Sequence, residues 1–464
     1  MIKKTLYCHW LTPFMIVFAS YAWLATPVML GRSAGINQHS VELGLAILGL
    51  TSFFLALYLL QKNRVFQRWM RLAATSTLPS LVTIIFFGVA LRILWILAFP
   101  AVPSSDGATY IQLALRLINE GYYETAGTKA YWPPGYPFFL IPWLKVFPVA
   151  IAVPVSQLCL FVLGAVGCHN LARMFSGDRA GRMAALIFAV WPNLIMLSSN
   201  PQKEYVIVAL LPWVLLGLYR GTMGTLLLAG LAMGYCTLVQ PSLQLLLPIM
   251  FICPLLMRQS KSYLKVALLV MTTVAVITPW TLRNIDTFGQ FVLISTNGGS
   301  NLYRANNPLA TGGYTSIGEV DVSGLDELQQ DRVSKKLAIE WIVGNPLLFT
   351  RLIVEKQVRF MGDDAIGVYA TLRTGKGTDS VTTYIGAKLF ANLYWLLIWL
   401  LIALLFLKNH GKPQVYRFLI LPWLYLFLLH SIFESDGRYH VSMIWALCVW
   451  LSCALQTSID DKAK

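Results

Sequence analysis

"SLVTIIFFGVALRILWILAFPAVPSSDGATYIQLA", Ser80 to Ala114, decides the fold. Its first part, Ser80 to Phe99, is almost wholly apolar, and about 20 such residues span the hydrocarbon core of a bilayer as a helix. The chain then turns polar at once. One carboxylate, Asp106, stands a few residues beyond the apolar run, with Tyr110 one helical turn further on.

Apolar runs of this kind recur along all 464 residues, of which 57% are hydrophobic and only 12% charged. A soluble domain carries about 25% charged residues, so a soluble protein is excluded. Counting runs gives an all-α polytopic membrane protein of about twelve transmembrane helices. The expected spans are Leu11–Leu30, Val41–Leu60, Pro79–Phe99, Val149–Asn170, Met183–Leu197, Tyr205–Tyr219, Thr225–Val239, Leu243–Met257, Leu264–Trp280, Tyr384–Leu407, Phe418–Phe433 and Tyr439–Leu455. "MIKK" and the run after it lack a small-residue cleavage site, which predicts a signal anchor. The seven cysteines (Cys8, Cys159, Cys168, Cys236, Cys253, Cys448 and Cys453) lie mostly within apolar runs and read as packing residues, without a disulfide.

The net charge of +15 reflects orientation rather than nucleic-acid binding. "KNRVFQRWMR", "RMFSGDRAGR", "MRQSKSYLK" and "KNHGKPQVYR" fall on one side of the alternating topology, which the positive-inside rule makes cytoplasmic, with both termini. Two long segments, 100–148 and 286–383, then face outward. All of the 21 acidic residues except Asp178, Asp460 and Asp461 lie on or near that outer side, and Arg92 is the one clear charge well inside a span. An ion-driven transporter keeps ionisable groups near the midplane, so the chemistry is expected at the outer face instead.

Past Asp106, the apolar residues Ile111, Leu113, Ala114, Leu117 and Ile118 predict an amphipathic helix that presents Arg116 and Glu120 to water or headgroups and ends at Gly121. "YWPPGYPFFLIPWLKVFP" predicts a sharp turn at Pro133-Pro134-Gly135, followed by a short helix in the interface. Trp132, Tyr136 and Trp143 suit the headgroup level. For Asp106 two readings stand: a helix N-cap and a general base for an incoming hydroxyl.

These stretches carry a resemblance. "SSDGATY…LINEGYY…AYWPPGYPFFL" resembles the first external loop of polyprenyl-phosphate-sugar-dependent glycosyltransferases with the GT-C fold. The likeness is strongest to the bacterial branch of glycosyltransferase family 39, grouped with dolichyl-phosphate-mannose protein mannosyltransferases. "SSNPQKEYV", "ITPWTLRNIDTFGQFVLISTNGGSNLYRANNPLATGGY", "GNPLLFTRLIVEKQVRF" and "FESDGRYHVSMIWAL" resemble further elements of that family, in the same order. The likeness covers roughly residues 79–455. Many relatives carry a second acidic residue where Gly107 stands here, and an Arg-Pro pair where this chain has Gln240-Pro241.

The resemblance implies a GT-C bundle with periplasmic interfacial helices and a small loop cap. Residues 1–78 would add two N-terminal helices. A core of 79–285 would hold the catalytic outer loop, 286–383 would form the cap, and 384–464 the last helices and a cytoplasmic tail. It implies inverting transfer of a sugar from a polyprenyl phosphate such as undecaprenyl phosphate to an acceptor hydroxyl, at the periplasmic face of a bacterial inner membrane. Asp106 would be the general base, with Glu204 assisting. Arg283 and Arg438, then Lys203 and Arg304, with Lys129 weaker, would hold the donor phosphate.

The same implication makes Tyr110, Pro134, Gly135, Tyr136, Asn297, Asn301 and Tyr303 the substrate-loop residues. Each has a plainer role: arginines at helix ends snorkel, Glu204 suits a helix N-terminus, and an Asn- and Gly-rich stretch suits a turn. No metal-ligand constellation is present, and no cofactor is expected; a divalent cation would require Asp106 and Glu204 to come within reach of one another. Acceptors consistent with this chemistry are a lipid, a polysaccharide such as O antigen, lipid A, or a protein. The competing functions are a flippase or transporter of lipid-linked saccharides, and a polymerase, ligase or oligosaccharyltransferase moving a whole glycan.

Overall fold

The computed structural model describes residues 11–68, 76–250, 262–316, 318, 320–322, 324–373, 380–408 and 413–460. Among them no strand forms; the chain is a bundle of helices with a helical cap at one end. Six helices are long and apolar enough to cross a membrane. They include α1 (Leu11–Ser33), α2 (His39–Lys62), α3 (Leu81–Ala98), α6 (Val149–Ser176) and α16 (Val381–Leu407); the sixth lies in α11 (Ser262–Phe288). Counting each of two bent helix pairs as one span brings the total to eight.

Among the described residues the expected number of twelve is not confirmed, and the reasons are local. The predicted span Met183–Leu197 is broken by 55° between α7 (Asp178–Ala189) and α8 (Pro192–Met196) with the short turn Leu197–Ser199. Pro192 disfavours helical backbone at Trp191, which is extended (φ −65°, ψ 112°). The helices α9 (Glu204–Arg220) and α10 (Met223–Val239) have 17 residues each. The predicted span Leu243–Met257 opens with a turn, Pro241–Leu245, and a five-residue helix, Leu246–Met250, and its remainder lies outside the described residues. The last predicted span is divided into α18 (Gly437–Val441) and α19 (Ile444–Asp460).

The core lies between α1, α6, α9, α16, α17 (Pro413–Ile432) and α19, where Trp395, Trp399, Trp423, Trp445 and Trp450 are fully buried. Although α1 lies outside the stretch with family likeness, it is part of this core. Trp23 Nε1 donates to Leu396 O at 3.0 Å, and Arg32 at its end pairs with Glu42 at 2.6 Å and with Glu355.

At one end of the bundle the two long segments meet. The first holds α4 (Ser105–Asn119) and α5 (Gly135–Val146). The second holds α12 (Gly298–Ala305), α13 (Glu327–Gly344), α14 (Pro346–Gly362) and α15 (Ile366–Leu372). Glu327 joins them, accepting from Lys129 N at 2.6 Å, Ala130 N at 2.9 Å and Thr296 Oγ1 at 2.5 Å. At the opposite end Arg179 and Arg182 donate to the carbonyls of Ser76 and Leu78. The basic loop 173–182 and the long segments thus occupy opposite ends.

Candidate active site

Asp106 lies in the first turn of α4, immediately after Ser105, whose φ of +49° is left-handed. Its carboxylate is not a cap: no side chain caps this helix. Instead Oδ2 accepts from Arg438 Nη1 at 3.0 Å, with the side chains 33% and 25% exposed respectively. Burial works to raise the Asp106 pKa, but the charges of Arg438 and Lys203 outweigh it and hold the carboxyl below its usual value.

Arg438 is placed by its neighbours. Asp436 accepts from the Arg438 amide at 3.2 Å and starts α18. The guanidinium also donates to Tyr439 Oη at 3.0 Å, and that hydroxyl donates to Glu434 Oε1 at 2.6 Å. Glu434 lies 3.7 Å from Arg438 and 3.9 Å from Arg304. Burial acts to lower the Arg438 pKa, but Tyr439, Glu204, Asp106 and Glu434 together raise it. The centre is therefore a carboxylate–guanidinium chain, Asp106–Arg438–Glu434–Arg304, drawn from α4, α18, the α17–α18 connection and α12.

Lys203 and Glu204 enter at the start of α9. Lys203 is half-buried, and its charge acts on Asp106; its ammonium has no hydrogen-bond partner among the described residues. Glu204 is 2% exposed, and its Oε1 has no hydrogen-bond partner among the described residues. Its charge reaches Tyr110, Tyr136 and Arg438.

Below Asp106 lies an aromatic floor. Tyr110 packs edge-on to Trp132 and Tyr136, with ring centroids 5.6 and 5.2 Å away. Burial first, then the Asp106 and Glu204 charges, push the Tyr110 phenol well above its usual pKa. Tyr136, expected at the headgroup level, is fully buried instead and accepts from Gln157 Nε2 at 2.9 Å. Gly135 lets the backbones touch: a Cβ there would come within 2.4 Å of Val239 N. Pro134 sets the start of α5. Gly107 has a similar cause, since a Cβ would meet Pro201 Cγ at 2.7 Å. An acidic side chain at that place would have to displace Pro201.

Other expected site residues go elsewhere. Arg283 donates to Lys129 O at 2.9 Å and Tyr123 O at 3.1 Å and covers the Trp280 ring, clamping the first long segment to the end of α11. Lys129 contributes its backbone to that clamp. Asn297 accepts from Ser295 Oγ at 2.9 Å. Asn301 accepts from Arg304 Nη1 at 3.2 Å, so it touches the centre through that arginine. The Tyr303 carbonyl accepts from Asn307 Nδ2 at 3.0 Å. The Asn-Gly stretch expected as a loop is helical over Gly298–Ala305.

Sequence reasoning missed Glu434 and Tyr439, which complete the ionic chain. His440, near Arg438 in the sequence, could be expected to approach the site, but the fully buried polar knot it joins, with Asp364, Asn193 and Asn392, was missed. An available signal was "DD" at 363–364 beside an apolar segment, since acidic residues are rarely left in such surroundings unpaired.

No family model matches the sequence, and no curated protein matches it. Among solved structures the chain is similar to ArnT from Cupriavidus metallidurans bound to undecaprenyl phosphate, with a TM-score of 0.41 and 13% identity over 82% of this chain and 77% of that one. It is also similar to the archaeal oligosaccharyltransferase AglB from Archaeoglobus fulgidus in complex with an inhibitory peptide and a dolichol-phosphate (TM-score 0.47, 14% identity, 86% of this chain and 51% of that one). A third is the arabinosyltransferase EmbB from Mycobacterium smegmatis (TM-score 0.30, 14% identity, 90% of this chain and 45% of that one). The chain spans about half the length of AglB and rather less of EmbB.

Proposed function

We propose that the protein is a membrane glycosyltransferase that moves a sugar from a polyprenyl-phosphate donor to an acceptor hydroxyl at the outer face. The observation that carries this reading is the half-open pair Asp106–Arg438 with Lys203 beside it. Such a group offers two cations to a lipid-linked phosphate and a carboxylate to a nucleophile. Phosphate departure needs donors where negative charge grows, and arginine with lysine supplies both shape and charge.

The geometry supports the following roles. Arg438 and Lys203 receive the phosphate, and Arg304 steadies Glu434 behind them. An Arg438 drawn onto the phosphate loosens its hold on Asp106, so the carboxylate becomes more basic as the donor binds. It then takes the acceptor proton while the hydroxyl oxygen attacks the anomeric carbon opposite the leaving phosphate, which inverts that carbon. Glu204 keeps the cations in place from within. In the cell this reading puts the site in the periplasm, at a bacterial inner membrane, with both termini cytoplasmic.

Binding tests it. Full-length protein in nanodiscs should retain undecaprenyl phosphate in preference to undecaprenol, and Lys203→Ala should weaken retention about tenfold, the value of one charge-assisted contact. Equal binding of the phosphate and the neutral alcohol by the wild type would overturn the reading.

A further inference from the structure

Behind the ionic centre lies the polar knot around Asp364. Asp364 Oδ2 accepts from Trp191 Nε1 at 2.7 Å, and Oδ1 accepts from Asn193 Nδ2 at 2.6 Å. His440 Nε2 lies 3.1 Å from the same Oδ1, while its Nδ1 faces the Phe360 carbonyl. The imidazole stacks on Trp395, with centroids 4.4 Å apart and planes 11° apart. The backbone amide of Asp364 donates to Asn392 Oδ1 at 2.9 Å. Asp364 and His440 are both fully buried.

Two features set this apart from ordinary core packing. First, the two ring nitrogens of His440 face the Phe360 carbonyl and the Asp364 carboxylate, and this two-sided hold is directional. It fixes the ring in one orientation, and His440 is two residues from Arg438 on the one short helix α18. Second, the remaining partners of Asp364 lead to the other side of the site. Trp191 and Asn193 bound the break that opens α8, and α8 runs by the turn Leu197–Ser199 to Asn200, Lys203 and Glu204. Asn193 Oδ1 accepts from Gly367 N at 2.8 Å, and Asn200 Nδ2 donates to Ala370 O at 2.8 Å, so α15 backs the same turn.

We propose that Asp364 is the positioning residue of this site. Through His440 it sets Arg438 against Asp106, and through Trp191 and Asn193 it sets the turn that carries Lys203. It touches no reacting group itself. The proposal rests on the reading of Arg438 and Lys203 as the phosphate ligands, but its first test needs no substrate.

That test is the rate at which phenylglyoxal modifies Arg438 in full-length protein in nanodiscs, read by peptide mass spectrometry. Arg351, which is exposed, reports reagent activity, and Arg92, which is fully buried, reports any opening of the bundle. Asp364→Asn is expected to raise Arg438 modification about tenfold, with Arg351 unchanged and Arg92 unmodified. An unchanged Arg438 rate would overturn the proposal. If Asp364→Asn opens the bundle, so that Arg92 reacts, His440→Gln is measured the same way with the same expectation. A second readout is a double-mutant cycle on undecaprenyl phosphate affinity. If Asp364 acts through Arg438, then Asp364→Asn adds little in an Arg438→Lys background; full additivity would contradict it. A wild type that binds no undecaprenyl phosphate would sink the lipid-phosphate reading and leave the modification result to decide the positioning claim.

Discussion

At the residue scale the centre depends on backbone that other positions would not tolerate. Ser105 holds a left-handed φ of +49° next to Asp106, at a cost of about 1–3 kcal/mol that the surrounding packing must offset. Gly107 lets α4 lie against Pro201, at the edge of the turn that carries Lys203. Gly107→Ala forces that contact apart, and a thermal melt should show a loss of about 1–3 kcal/mol, together with reduced transfer. An unshifted melt would mean that the two segments can separate freely. The Asp106–Arg438 pair also has a pH signature. Because the folded pKa of Asp106 lies below the usual 3.8, the pair's contribution is fully present above that value and is lost as pH falls through the lower folded value. Partial exposure limits that contribution to about 1 kcal/mol. The stability gap between wild type and Asp106→Asn should therefore be flat from neutral pH down to near pH 4 and should close below it. A gap that closes nearer neutrality would mean that the carboxyl is not paired in this way.

At the scale of elements, the site is held by joints between distant segments. Glu327 is one, receiving two amides of the first long segment and a hydroxyl of the second. Removing it leaves the Lys129 and Ala130 amides without that acceptor, which costs about 1–3 kcal/mol. Glu327→Ala should speed amide exchange across 125–131 and 294–299 while α6 and α9 stay protected. Exchange confined to α13 would deny that Glu327 joins the two segments. Helix α4 with Asp106, and α5 with its Pro-Pro-Gly entry, were legible in the sequence because their signals are local: periodicity, proline and glycine. The partners of Asp106 were not. Arg438 lies 332 positions away, and nothing in "FESDGRYHV" shows that successive side chains point to Asp106, Glu434 and Asp364. The contacts of Arg283 were hidden for the same reason: a helix-end arginine reads alike whether it faces a ligand or two backbone carbonyls.

For the whole molecule, the runs of apolar residues predicted a helical membrane bundle, and long apolar helices are what form. The count of spans was less legible because prolines divide runs that hydropathy alone joins, as at Pro192. The proposed orientation rests on charge placement, and it makes a sided prediction. In oriented cells a membrane-impermeant maleimide should label Tyr122→Cys, in the first long segment, from outside. It should label Arg220→Cys, at the far end of α9, only after the cytoplasmic side is opened. The reverse pattern would invert the topology and remove the site from the outer face.

The most direct test of the central claim is sugar transfer from a panel of purified polyprenyl-phosphate sugars to a cell-envelope acceptor extract, with wild type beside a folded Asp106→Asn. The account predicts transfer by the wild type from at least one donor. The variant should lose about a hundredfold to ten-thousandfold of that rate, as removal of a general base does, while still binding the donor. Transfer by Asp106→Asn at the wild-type rate would contradict it.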